Sequence, residues 1–256
     1  MKFFWNNLVD AVSTVLVASS ANASYPVDNL AHDHLQKVWR TGTTLTEEYV
    51  DIDLGSSMEF SAIILAGHDF TADDNLRFKF SDSNVYTDAI TIAIDWTQET
   101  ILALFPVVSA RYLRVMFTKG AAGQTRDIGR LFAGPHSDQT ELPDDRGYQE
   151  NPKDLSKVAT SLGGQDWGEI RPGYREIQIR GSKLTQDDAE DLLDLNEHCG
   201  IVTPFFIQVQ DPLGDLNENP LSEIIYVRLK SLTGREHDVT DVGLRWKVTI
   251  DLKEFI

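Results

Sequence analysis

Apolar and polar residues alternate with period two along most of the first half of the chain. From Tyr49 to Leu54 the alternation puts Val50, Ile52 and Leu54 on one face of an extended segment, and Gly55-Ser56-Ser57 turns it. The same reading predicts a first strand at 14–18 and further strands at 60–66, 76–81, 89–94, 101–105, 112–117 and 129–133, separated by Gly, Asp, Asn and Ser clusters. No helix of useful length falls among them. Regular short strands of this kind predict an antiparallel sandwich or jelly roll over residues 1–135.

The pattern then changes. Residues 136–172 carry Pro143, Pro152 and Pro172, the acidic cluster Glu141, Asp144 and Asp145, and Gly163-Gly164, the punctuation of a linker or long loop. Beyond it, 173–256 predicts a smaller α+β domain, an antiparallel sheet with one helix. A strand at 174–180 leads to Thr185, a helix N-cap with Asp187 and Asp188 in the first turn. Ala189, Leu192, Leu193 and Asn196 follow at helical spacing, and Gly200 is placed to end the helix. Strands at 201–210, 223–230 and 244–252 complete the sheet, and the expected fold is mainly β. Phe205, Phe206, Tyr226 and Trp246 are more apolar material than one helical stripe covers, which marks them as candidate assembly contacts.

Composition narrows the function. Of 256 residues, 41% are apolar and 25% charged, values of a folded protein, and no apolar run approaches the roughly 20 residues a membrane-spanning helix needs. Forty acidic against 23 basic side chains give a net charge of −17, which repels a phosphate backbone, so no sequence-specific nucleic-acid binding is expected. Residues 1–135 carry 10 basic and 16 acidic side chains, and 136–256 carry 13 and 24, so neither half is basic. One cysteine, Cys199, excludes an internal disulfide framework and any multi-cysteine zinc site. Met1–Ala23 has the outline of a secretory signal, but Asn6, Asn7 and Asp10 interrupt its apolar stretch, so no cleaved signal peptide is expected.

Catalytic motifs are missing. The chain has no nucleophile elbow, Walker loop, His-Glu-x-x-His or dinucleotide fingerprint, so no catalytic residue, cofactor or metal is assigned. His32 and His34 lack a third ligand, and His198 beside Cys199 near a helix end reads as a partly buried thiol with a neighbour. Asp215, Asn217 and Asn219 imitate a calcium loop, but Pro220 stands where glycine is required and Tyr226 where the bidentate glutamate belongs. Asp51 and Asp53 share the polar face of one strand, either as a glycosidase pair or as a solvated face. Trp39, Arg40, His68, Asp69 and Phe70 fall in expected loops of the sandwich, where an aromatic ring can stack on a sugar and a polar neighbour can hold its hydroxyls. Trp39 alternatively plugs the end of the barrel.

Ala18-Ser19-Ser20, the run Tyr25–Leu30, Trp39-Arg40, the run Tyr49–Gly55, Ala110–Val115 and the closing Ile128–Gly134 stand in the order seen in discoidin-type, galactose-binding-like jelly rolls, which the first half resembles. Members of that family bind carbohydrate, lipid or protein through loops at one end. The second half is similar to C-terminal regions of minor tail proteins of long-tailed bacteriophages, on Pro172–Ile177, Leu184-Thr185, Pro204–Ile207 with Asp211-Pro212, and Trp246–Glu254. The pairing resembles distal tail and baseplate proteins. It implies a non-enzymatic structural component of a virion tail tip or baseplate, made in the host cytoplasm and assembled as a homo-oligomeric ring with other tail proteins. Its C-terminal domain would make the assembly contacts, and its jelly roll would face outward, toward host surface glycan. A carbohydrate-binding module of a secreted or surface protein is the alternative expectation. The negative charge fits either a solvated exterior or a lumen through which DNA passes without sticking.

Overall fold

Lys2–Phe4, too short to show any periodicity, forms the first strand, β1, and pairs on one side with residues 137–138 and on the other with 206–208. The computed structural model describes residues 1–86, 90–94, 100–121, 123–138, 148–161, 165–210, 222–240 and 243–255. It divides into two units, Asn6–His136 and a second made of Met1–Trp5 with Ser137–Ile256. The first five residues therefore belong with the second half. The expectation that residues 1–135 stand together differs by this one strand.

The Asn6–His136 unit is an antiparallel sandwich. Its strands are β2 (Val15–Ala18), β3 (Trp39–Arg40), β4 (Glu47–Ala66), β5 (Asn75–Ser81), β6 (Ile90–Ile94), β7 (Ile101–Thr118), β8 (Asp127–Ile128) and β9 (Arg130–Gly134). One sheet runs β2-β4-β7-β5-β6, β9 pairs with the far half of β4, and β3 pairs with β8. The strands expected at 49–54 and 60–66 are one strand, as are those at 101–105 and 112–117. Gly55, at φ +79°, bends the chain without ending it, because β4 and β7 shift register together between Asp53 and Met58 and stay paired on both sides of the bend. Both strands thus fold over and line two layers. Val50, Ile52, Leu54, Leu76, Phe78, Phe80, Leu113, Val115 and Phe117 meet in the core between them, as the alternation requires.

The second unit holds β10 (Ser137–Asp138), β11 (Tyr148–Lys153), β12 (Lys157–Thr160), β13 (Asp166–Glu169), β14 (Tyr174–Leu184), helix α1 (Gln186–Cys199), β15 (Phe205–Gln210), β16 (Ser222–Thr240) and β17 (Gly243–Glu254). A seven-stranded sheet runs β10-β1-β15-β16-β17-β14-β11. The stretch expected as a linker contributes β10 and β11 to that sheet and the separate hairpin β12-β13. Its Pro143, Glu141, Asp144, Asp145 and Gly163-Gly164 lie outside the described residues, as do Asp215, Asn217, Asn219 and Pro220. Thr185 caps α1 through a reciprocal pair of bonds with Asp188, and Gly200 ends the helix at φ +52°. The buried stripe is Ala189, Leu192, Leu195 and Cys199, so Leu195 takes the place given to Leu193.

Helix and sheet enclose a core of Phe3, Ile177, Ile179, Phe205, Ile207, Ile225, Val227, Ile250 and Leu252. Phe3 is 1% exposed, and its ring lies 6.4 Å from that of Phe205. Truncation by Phe3→Ala is expected to cost the second unit about 3–5 kcal/mol. Hydrogen exchange should then quicken at β15 and β16 and stay unchanged at the paired amides of β4 and β7.

Candidate functional site

Four segments of the sandwich, 19–25, 41–48, 67–75 and 119–128, meet through a network of buried charges. Lys119 follows β7 directly, and both it and Glu48 are completely buried. Its ammonium donates to Glu48 Oε1 at 3.0 Å and to the carbonyls of Gly42 and Gln124 at 2.9 Å each, which uses all three protons. Glu48 Oε2 accepts the hydroxyls of Ser19 and Ser20 at 2.5 and 2.7 Å. Nearby, Arg126 Nε donates to Asp74 Oδ2 at 2.7 Å, and its other nitrogens reach Thr71, Gln124 and the Thr125 carbonyl. Burial would raise the Asp74 pKa, but the bonds from Arg126 and Thr71 outweigh it and hold the carboxyl below its ordinary value. Among the described residues, no three or more His, Cys, Asp or Glu side chains gather in a group that could hold a metal ion.

This frame carries a partly exposed polar row. Arg40, on β3, grips Asp127 with two bonds of 2.7 and 2.6 Å, and its guanidinium lies 4.1 Å over the ring of Tyr25. Asp69 Oδ1 accepts the Asp127 backbone N–H at 2.7 Å, and the Asp69 N–H returns a bond to the Asp127 carbonyl at 3.3 Å. Asp69 is exposed as a residue, yet its carboxyl turns inward, and that burial raises its pKa. The side chains of Arg40 and Asp127 are 33% and 20% exposed. Gly129 seats the loop before β3: a Cβ there would lie 2.2 Å from the Leu35 carbonyl oxygen.

Of the five loop candidates, the structure gathers all five around Phe117 or Asp127 but leaves only the polar ones accessible. Trp39 is fully buried, donates Nε1–H to the Ser20 carbonyl at 3.0 Å and meets Phe117 edge-on. It is the plug, and it cannot stack on a sugar. Phe70 is likewise buried, 4.8 Å from the Phe117 ring, because two apolar rings next to an open core edge gain more inside than out. His68 is half-buried beside Phe70. Glu48, Lys119, Asp74, Arg126 and Asp127 were not singled out from the sequence, where a lone charge near a strand end looks like solvated surface.

Asp51 and Asp53 are each clasped by a guanidinium, Arg114 and Arg111 respectively, through two bonds apiece of 2.6–2.9 Å. The Arg111 bonds hold Asp53 below the usual carboxylate value. Arg114 lies between the rings of Tyr49 and Tyr86, at 4.0 and 4.5 Å. The strand face is an ion-pair lattice. His32 and His34 stack at 5.4 Å, with Lys37 Nζ 2.7 Å from His32 Nε2. Cys199 is buried, its pKa pushed up to about 12, and the His198 ring lies 5.1 Å from Trp5.

Phe205, Phe206 and Tyr226, expected to face neighbours, are buried within the chain, in a sheet of seven strands where strands at 174–180, 201–210, 223–230 and 244–252 were expected. Phe205 lies in the helix-side core, while Phe206 and Tyr226 pack together on the opposite face at 4.4 Å with Phe255 beside them. Trp246 is partly buried against the core.

No family model and no curated protein matches the chain. Among solved structures, a GH29 fucosidase of Ruminococcus gnavus in complex with fucose is similar at TM-score 0.48 and 16% identity, over 53% of this chain and 28% of the fucosidase. Chitosan-binding module 1 of a chitosanase/glucanase from Paenibacillus sp. IK-5 gives TM-score 0.44 and 18% identity, over 51% and 99%. The family 32 carbohydrate-binding module of a Clostridium perfringens protein in complex with galactose gives 0.41 and 12%, over 54% and 100%. These identities leave nothing to carry over residue by residue, and none of these likenesses extends the resemblance to tail proteins.

Two outcomes test the frame. Glu48→Leu or Lys119→Met alone leaves an unpaired buried group and is expected to destabilise the sandwich by about 3–5 kcal/mol, whereas the double variant Glu48→Leu with Lys119→Met costs less than the two singles together. Denaturant titrations of the four proteins measure the coupling. The lowered Asp74 pKa means that its stabilisation is present above the ordinary carboxylate value near ~4 and is lost as pH falls through the lowered value. Stability of Asp74→Asn should therefore fall less steeply below pH ~4 than that of the wild type.

Proposed function

We propose that the chain is a non-enzymatic binding protein whose jelly roll holds a carbohydrate at the end built from residues 19–25, 41–48, 67–75 and 119–128. The observation that carries this reading is the Arg40–Asp127–Asp69 row: fixed donors and acceptors, partly exposed, on a frame of buried ion pairs. A sugar presents adjacent hydroxyls that both give and take hydrogen bonds, and a row that needs no rearrangement loses little entropy in meeting them. Tyr25, half-buried beneath Arg40, supplies a ring at the edge of the row. The absence of turnover in this proposal draws on Asp51 and Asp53, whose carboxylates are committed to arginines. A second reading, a structural subunit of a phage tail tip or baseplate, draws on the exposed apolar side chains that the second unit keeps at Val158, Trp167 and Ile170.

Titration with galactose, fucose and a chitosan oligomer, followed by amide chemical shifts, tests the first reading. Saturable binding in the millimolar range, about −4 kcal/mol, is expected for at least one of them, lost in Arg40→Ala and weakened in Asp69→Ala. Asp51→Asn should bind like the wild type. Absence of saturable binding across a broad glycan set, or binding that ignores both loop variants, defeats the proposal.

A further inference from the structure

Among the described residues of the second unit, large apolar side chains are exposed in two places only. One is the hairpin β12-β13 with its flanks, where Leu155, Val158, Trp167 and Ile170 are 46%, 72%, 67% and 92% exposed. The other is the pair Ile201-Val202 just past α1, at 66% and 67%. Among the described residues the hairpin forms a two-stranded sheet of its own, with four cross-strand pairs from Lys157↔Glu169 to Thr160↔Asp166 and one more backbone bond from Ser161 to Gln165. A lone two-stranded hairpin is marginal in water, and it gains stability when its apolar side chains find a surface. Since both patches stay uncovered within one chain, the hairpin does not serve its own Ile201-Val202.

Charge names the occupant. Residues 153–171 carry three basic and three acidic side chains in a chain of net charge −17, so this segment adds no net repulsion of its own when it approaches a second copy. Helix α1, which leads into Ile201-Val202, exposes Asp187, Glu190, Asp191, Asp194 and Glu197. Lys157 lies beside the apolar residues of the hairpin and can face that acidic surface, while Arg171 at the other flank neutralises the hairpin's own Glu169 through two bonds of 2.9 and 2.8 Å.

We propose that the hairpin of one copy packs on Ile201-Val202 and the adjoining acidic helix of a second copy, a head-to-tail contact that closes into a ring or runs on as a filament. The contact is small for a stable dimer, so it is weak singly and cumulative when repeated. It depends on neither the carbohydrate reading nor the tail reading, and a glycan titration of the hairpin variant separates the two failures.

Sedimentation velocity of the full chain over a wide concentration range is the test. The wild type is expected to associate reversibly into species larger than dimers, and the hairpin variant Trp167→Ser with Ile170→Ser to lose about tenfold or more in association constant. The acceptor variant Ile201→Ser with Val202→Ser should lose the same. Each double variant keeps one half of the contact, so an equimolar mixture should give dimers and nothing larger. All of these side chains are solvent-exposed, and melting temperatures should match the wild type. Ile170→Asp, outside the paired residues, reads the same contact should the Trp167 change unsettle the hairpin. A wild type that stays monomeric, either double variant associating as the wild type does, or a mixture that stays monomeric overturns the proposal.

Discussion

The sandwich end is organised around one fully buried ion pair, Lys119 with Glu48. Taking two charges out of water costs several kcal/mol per ion, and a pair of well-packed apolar residues would often hold the same space as well or better. What the pair adds is direction. An apolar pair accepts many arrangements, whereas the ammonium is satisfied only when Gly42, Gln124 and Glu48 stand at bonding distance together, and Glu48 only when Ser19 and Ser20 reach it too. Three segments distant in sequence are thereby held in one register. The Arg126–Asp74 pair repeats the device one layer out, and the Arg40–Asp127–Asp69 row sits on both.

That arrangement explains why the strands were legible and the site only partly so. Alternation is a local signal, and Val50, Ile52 and Leu54 or Leu76, Phe78 and Phe80 declare their face within a few residues. Joining two such segments into one bent strand is not local: it depends on β4 and β7 bending together at Gly55. β1 is harder still, since three residues have no period and their partners lie beyond residue 136. The helix was readable because Thr185, Asp188 and Gly200 act within their own turns. Trp39 and Phe70 were placed in loops correctly, but residue type alone cannot tell a stacking platform from a core plug. Buried Lys119 and Glu48 are invisible to a reading in which charge means solvent.

The same physics separates the carboxylates of this acidic chain by role. Asp51 and Asp53 lie on an open strand face, yet each is held bidentately by an arginine that itself lies over tyrosine rings, Arg114 over Tyr49 and Tyr86 and Arg111 over Tyr112. For Asp53 the two charge-assisted bonds from Arg111 hold the carboxyl below its ordinary value. Asp69 differs: its carboxyl accepts the Asp127 backbone N–H, and burial raises its pKa.

Charge also shapes how copies of the chain can meet. At −17 per copy, two bodies approaching face to face bring many like charges within a Debye length, roughly 8 Å at physiological salt. A four-residue hairpin spans roughly 13 Å along its strands, so contact made at its side chains keeps most of the remaining charge of both copies at a screened distance. An interface spread over the sheet faces would forgo that spacing and would need many opposing pairs to offset the repulsion. A narrow, apolar, charge-balanced projection against a short apolar turn is therefore the form of self-contact this composition tolerates best, and Val158, Trp167 and Ile170 on one side with Ile201 and Val202 on the other have that form.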